Sequence, residues 1–138
     1  MAEFSEDLDL LLFHGWFLTH DPLEQELMRP FPPLGLQYLV GWLRAHGFPL
    51  VDWWDASFCS GPGDFESEMS LRRPKVVGLY GHTVTRPTTL PMVHSAVERG
   101  CRVIAGGPDP IQYLDEYLDG GVEVVVVGEG EQTVTELM

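Results

Sequence analysis

The chain has 138 residues, 44% of them hydrophobic and 21% charged, so one globular domain spanning residues 1–138 with a core of its own is expected. Eight basic residues oppose twenty-one acidic ones, for a formal charge of −13; such a surface repels phosphate backbones and anionic head groups, so neither nucleic acid nor membrane is an expected partner. Cys59 and Cys101 stand alone, outside any zinc or redox spacing, and read as reduced thiols. No apolar run approaches the ~20 residues of a membrane span, and the acidic start (Glu3, Glu6, Asp7, Asp9) is the opposite of a signal peptide, so a cytoplasmic location is expected.

Residues 8–13 form an apolar run interrupted only by Asp9 and predict a first strand buried on both faces. Residues 16–31, with Trp16, Phe17, Pro22, Pro30 and Phe31, lack periodicity; a loop this long in a compact domain is a candidate lid. Packing beneath that loop is the plainer role for Trp16 and Phe17. Pro32 and Pro33 open a helix over 34–46 that is apolar nearly all round, with Gln37, Gly41 and Arg44 as one narrow polar or small stripe. That pattern predicts a deeply buried helix, with Gly41 packed closely against a neighbour, and Gly47 ends it. Residues 50–54 predict a second strand ending at Asp55, residues 64–71 a weak helix, and residues 75–80 a third strand ended by Gly81.

A threonine-rich loop over 82–89 precedes a helix expected to begin at Pro91, with Met92, Val93, Ala96 and Val97 as its apolar stripe. Residues 102–105 predict a fourth strand, ended by Gly106 and Gly107. Asp109 then reads as an N-cap, Pro110 as the first helical residue, and Gln112 as the partner in a capping box. Ile111, Leu114 and Leu118 would be that helix's buried face. Residues 122–127 predict a fifth strand, ended by Gly128, and a last helix begins near Glu131 with Val134, Leu137 and Met138 on one face. Alternating strands and helices imply a doubly wound α/β sandwich around a five-stranded parallel sheet with right-handed crossovers. The expected order is the flavodoxin-like 2-1-3-4-5.

Glycine follows four of the five strands, at Gly15, Gly81, Gly106 and Gly128. Glycines often merely end strands. Four at carboxyl ends, where open α/β sheets bind ligands, point to a site that brings a ligand close to backbone. Two common tenants of this fold do not fit. The dinucleotide fingerprint needs a third glycine after the first strand; here the Gly128-Glu129-Gly130-Glu131 loop follows the fifth, Thr133 stands where the third glycine belongs, and two glutamates would repel a pyrophosphate. A phosphorylated receiver domain needs an acidic pair after strand 1, an aspartate after strand 3 and a lysine after strand 5, where this chain has His14, Gly81 and Glu129.

Three segments carry a resemblance: PPLGLQYL at 32–39, VIAGGP at 103–108 and VGEGEQT at 127–133, with Gly47 before strand 2 and Asp55 at its end. In this order, and over nearly the whole chain, they resemble the N-terminal cobalamin-binding domain of B12-dependent radical S-adenosylmethionine enzymes. The resemblance implies a corrin ring over the strand ends and a nucleotide tail threading down beside the sheet. It implies cofactor contacts from Gly15 and Gly35, and tail contacts on the loop after strand 3 (Gly81, His82, Thr83, Thr85). Gly106, Gly107 and Pro108 would wall the same cleft, and Gly128, Glu129, Gly130, Glu131 and Thr133 would meet the corrin edge or tail. The loop over 16–31 would close over one side of the ring. For Thr83 and Thr85, turn chemistry and capping are the competing role.

The related B12-dependent mutases carry Asp-x-His-x-x-Gly after strand 1, whose histidine binds cobalt. Neither His14 nor His20 stands in that pattern, so cobalamin bound without a protein histidine on cobalt is expected. The cluster motif Cys-x-x-x-Cys-x-x-Cys is also missing. The chain therefore reads as a fragment of a longer protein whose radical S-adenosylmethionine domain would hold S-adenosylmethionine and the 4Fe–4S cluster, and it should not catalyse the full reaction, a methyl transfer or radical rearrangement, alone. Two other readings stay open: the same fold kept as a docking or structural module without cofactor, and a flavodoxin-like FMN binder.

Overall fold

Alternation along the first strand sets the layers. In β1 (Leu10–His14) every residue is buried; Leu10 and Leu12 belong to one core, Leu11 and Phe13 to the other. A strand buried on both faces needs helices on both faces, and the rest of the chain supplies them. The computed structural model describes residues 7–27, 30 and 32–138. Its other strands are β2 (Val51–Trp54), β3 (Val76–Tyr80), β4 (Arg102–Gly106) and β5 (Val124–Val126). All pairings are parallel, in the order β2-β1-β3-β4-β5 expected from the sequence.

The helices among the described residues are α1 (Pro22–Leu27), α2 (Leu34–Ala45), α3 (Pro62–Arg72), α4 (Arg86–Glu98), α5 (Pro108–Gln112), α6 (Leu114–Asp119) and α7 (Glu131–Leu137). One core joins Leu11, Phe13, Val77 and Val103 to Phe65 and Met69 of α3 and to Met92, Val93 and Ala96 of α4. The other joins Leu10, Leu12, Ile104 and Val126 to Leu36, Val40 and Leu43 of α2 and to Val134 of α7. On that second face α2 and α7 are tied by the Trp42 indole N–H, which donates to Thr135 Oγ1 at 3.2 Å. Among the described residues no helix is long and apolar enough to cross a membrane.

Five sequence expectations need correction. Residues 16–27 are not structureless: a 3-10 turn (Leu18–His20) leads into α1, where the Asp21 carboxylate accepts the Glu24 N–H at 3.2 Å as an N-cap before Pro22. Phe17 is buried against Trp54; residues 28, 29 and 31 of that segment lie outside the described ones. Helix α2 is half-buried rather than deeply buried, because α7 covers only part of it; Leu34 and Tyr38 are 67% and 61% exposed. A Cβ at Gly41 would meet nothing within 4 Å, so the expected close packing there is absent. Helix α4 begins at Arg86, five residues before Pro91, which lies inside it.

The fifth correction concerns residues 108–119, which are turned the other way round. Ile111, Leu114 and Leu118 are 43%, 44% and 42% exposed, whereas Asp109, Pro110 and Tyr117 are buried. Asp109 is no N-cap, and Gln112 makes no capping box. The cap position is Gly107, at φ 95°, and the Asp109 carboxylate faces inward. The chain breaks at Tyr113 into two short helices, which lets both Asp109 and Tyr117 point into the protein.

Candidate functional site

At the carboxyl ends of the strands two clefts lie side by side and share Gly35, Leu36 and Tyr80. The larger, about 530 Å³, lies by the ends of β1 and β3, between the start of α2 and the Trp16–Glu24 segment; His14, Ser57, His82 and Thr85 also line it. The smaller, about 270 Å³, runs down the sheet face beneath α2 and α7. Its deepest row is Leu12, Gly78 and Ile104, paired in register across β1, β3 and β4. A Cβ on Gly78 would sit 2.5 Å from Leu12 Cδ2 and 3.3 Å from Ile104 Cγ1. Glycine in mid-strand therefore keeps the two flanking side chains low, and the cleft open above them.

The wall between β3 and β4 is built by glycine and one buried charge network. Gly81 N–H donates to Gly106 C=O at 2.8 Å, and Asp109 N–H donates to Gly81 C=O at 3.3 Å. A Cβ on Gly107 would lie 2.6 Å from that same Gly81 oxygen, and one on Gly81 would strike Pro110. Beneath the loops, Arg86 grips Asp109 bidentately, Nε to Oδ2 and Nη2 to Oδ1, both at 2.8 Å. The Tyr117 hydroxyl donates to Oδ2 at 2.6 Å, and the guanidinium carbon lies 3.4 Å above the Tyr113 ring centre. The Arg86 guanidinium holds the Asp109 carboxyl below its ordinary range. Burial, with the Asp109 charge, pushes the Tyr117 phenol up. The network thus stays one ionised pair with one neutral donor.

The larger cleft has a second polar group, at its floor. His14, buried at the end of β1, has both ring nitrogens engaged. Nδ1 accepts the Trp16 N–H at 3.2 Å, and Nε2 lies 3.0 Å from Asp55 Oδ1 at the end of β2. Nε2 also lies 3.3 Å from the Ala56 amide nitrogen, but the nearer carboxylate can only accept, and it places the ring proton on Nε2. Burial lowers the His14 pKa against the opposing pull of Asp55, so the ring is neutral. Burial alone would raise Asp55, but hydrogen bonding from Ser57 and His14 outweighs it and keeps the carboxyl below its ordinary range. The Ser57 amide donates to Asp55 Oδ1 at 2.9 Å, while its buried hydroxyl makes no hydrogen bond of good geometry.

The residues singled out from sequence fall into three groups. Gly35, His82 and Thr85 line the larger cleft; Gly35, Gly106, Gly107, Gly128, Gly130 and Glu131 line the smaller. Thr85 also serves its own turn, its hydroxyl accepting the His82 N–H and donating to the His82 C=O. Gly15, Gly81, Thr83, Pro108, Glu129 and Thr133 line neither cleft. Gly15 is needed for packing, since a Cβ there would lie 2.3 Å from Thr89 Oγ1 on α4. Sequence reasoning missed Gly78, Leu12, Ile104, Tyr80 and the His14–Asp55 pair. The signal for the first three was present only as an apolar run with a glycine inside it.

Comparison with solved structures supports the fold. A cobalamin-binding protein from Desulfitobacterium hafniense DCB-2 matches with a TM-score of 0.61 at 13% identity, over 94% of this chain and 58% of that one. This chain therefore spans little more than half the length of that protein. A LuxR-family DNA-binding response regulator from Staphylococcus aureus matches with a TM-score of 0.52 at 17% identity, over 94% of this chain and 92% of that one. At such identities the likeness is one of fold. No curated protein sequence matches the chain. Residues 26–138 match the B12 binding domain family, and with most of its length so matched the chain belongs to that family.

Proposed function

We propose that this chain binds cobalamin as the cofactor domain of a B12-dependent radical S-adenosylmethionine enzyme, with the nucleotide tail in the smaller cleft and the corrin ring across the larger. The observation that carries this is the pairing of two clefts of different size at one sheet edge. A cleft of about 270 Å³, kept open by Gly78, adjoins one of about 530 Å³ through Gly35, Leu36 and Tyr80. A long flat ligand with a bulky head and a slender tail needs that combination. When bound, cobalamin supplies a cobalt centre that carries a methyl group or supports radical rearrangement. The chain's own part is to hold and orient. The Arg86–Asp109–Tyr117 network fixes the wall loops, the glycines let backbone approach, and α2 with α7 covers the slot.

In this reading no protein histidine binds cobalt. What supports it for His14, at the floor of the larger cleft, is that both ring nitrogens are already engaged by Trp16 and Asp55. The iron–sulfur cluster and S-adenosylmethionine would belong to another domain of the parent protein, because this chain has only two cysteines. A flavin has less to hold it, since the turn after β1 is packed against Thr88 and Thr89 rather than open to a phosphate.

Titration of the purified chain with hydroxocobalamin and, separately, FMN tests the reading. The expected result is a saturable change in the visible spectrum with hydroxocobalamin, with the absorbance of cobalamin whose tail base has left cobalt, and none with FMN. No spectral or gel-filtration shift with hydroxocobalamin would favour a docking module instead.

A further inference from the structure

The smaller cleft has a chemical character that holding a tail does not by itself require. Its floor of Leu12, Gly78 and Ile104, and the flanking Val126 and Val134, offer no polar side-chain atom. The strand amides and carbonyls beneath are engaged in the parallel ladders. The polar side chains lining this cleft are Tyr80, the last residue of β3, and Glu131, the first of α7. Both stand at the loop end, with Gly78 two residues further down the strand, roughly 6–7 Å deeper at the usual rise.

We infer, on the basis of the cobalamin reading above, that this floor selects the base at the end of the tail, accepting a dimethylbenzimidazole and disfavouring a purine. With its tail off cobalt, the benzimidazole has one free ring nitrogen, and its second ring carries only carbon and two methyl groups. Adenine puts two further ring nitrogens and an exocyclic amine in place of that carbon ring. Against Leu12 and Ile104 those groups lose water and gain no partner, and each buried polar group left unpaired lowers affinity by roughly tenfold or more. The methyl groups meet apolar surface and lose nothing. Leu12, Gly78 and Ile104 are thus specificity-determining residues for the tail.

The purified chain is titrated in parallel with hydroxocobalamin, its adenine-tailed analogue and the tail-less cobinamide, followed by visible absorbance and tryptophan quenching. On affinities corrected for the cost of taking each form's own base off cobalt in solution, hydroxocobalamin is expected to bind at least about tenfold tighter than the adenine analogue, and tighter than cobinamide. Equal affinity for the two tailed forms overturns the inference while leaving cobalamin binding intact. Cobinamide binding as tightly as hydroxocobalamin also overturns it, because the tail would then not enter the slot. Binding of none of the three overturns the cobalamin reading itself. In Ile104→Asn, which offers a donor and an acceptor at the floor, the ratio between the tailed forms is expected to shrink. An unchanged ratio in a variant with native circular dichroism would overturn the role of Ile104, and if that variant does not fold, the ratio in the parent chain still decides.

Discussion

The two clefts share one sheet edge and three residues, yet they are made in opposite ways. The smaller is shaped by absence: Gly78 leaves out a side chain, and Gly106, Gly107, Gly128 and Gly130 leave backbone bare around it. Its floor side chains, Leu12 and Ile104, are apolar and make few demands on protonation. The larger is shaped by presence. His14, Asp55, Ser57 and Asp21 converge on or beside it, and most of their polar atoms are consumed by one another, by the Trp16 indole or by backbone. The difference teaches that polar residues at a site's floor are not necessarily there for the ligand. Here the larger cleft's polar side chains are mostly engaged, the buried Ser57 hydroxyl excepted, and the smaller cleft's floor side chains have apolar surface to bury.

The largest expected effect comes from filling the apolar slot. Gly78→Val would force Leu12 and Ile104 up into it, because even a Cβ there lies 2.5 Å from Leu12 Cδ2. Overpacking of this kind costs about 1–3 kcal/mol, which a domain of ordinary stability survives. Hydroxocobalamin affinity is expected to fall by about a hundredfold, roughly 2.7 kcal/mol, with circular dichroism unchanged. Native affinity in a folded Gly78→Val variant would show that the slot is not used.

Next comes the network that holds the slot's wall. Asp109→Asn leaves the Arg86 guanidinium facing an amide and removes the ionised acceptor of Tyr117. Losing one member of a buried pair is among the costlier single changes, so a fall of about 10 °C in the melting temperature is expected. A smaller loss of cobalamin affinity should accompany it as the Gly81 and Gly107 loops loosen. Tyr117→Phe removes only one hydrogen bond and should cost about 1.5–3 kcal/mol. If Asp109→Asn melts like the parent chain, the network does not carry the wall.

How much of this was legible in the sequence follows from how local each signal is. The first strand, read at 8–13 and found at Leu10–His14, and the order of the sheet were readable, since two-sided apolar runs alternating with helices leave few topologies. Of the four glycines read at the strand ends, Gly106 and Gly128 line the smaller cleft, and Gly15 and Gly81 line neither. The inward turn of residues 108–119 was not, because Asp109-Pro110 has the local signature of a capped helix start. What overrides it is Arg86, 23 positions away. Gly78 looked like one small residue in an apolar strand, and its meaning appears only when register sets it between Leu12 and Ile104. His14 and Asp55, 41 positions apart, were each visible as strand ends, but nothing local joined them.

The smallest expected effect is at that pair. If the polar cleft satisfies itself, His14→Gln should change hydroxocobalamin affinity by less than about threefold, under 1 kcal/mol. The electron paramagnetic resonance spectrum of the cob(II)alamin form should show no nitrogen splitting from the protein, before or after the substitution. The change should appear in stability against pH instead. The folded His14 pKa lies below its ordinary 6.5 because burial disfavours the charged ring. An unfolded chain therefore takes up a proton at this position before the folded one does. Stability is lost as the pH falls through about 6.5, until the folded ring is itself protonated. In His14→Gln that slope should vanish, while any loss from Asp55 and Asp109, whose folded pKa values lie below 3.8, remains at lower pH. Nitrogen splitting that disappears with His14→Gln would reverse the comparison, making the polar cleft a supplier of the metal ligand rather than a self-contained floor.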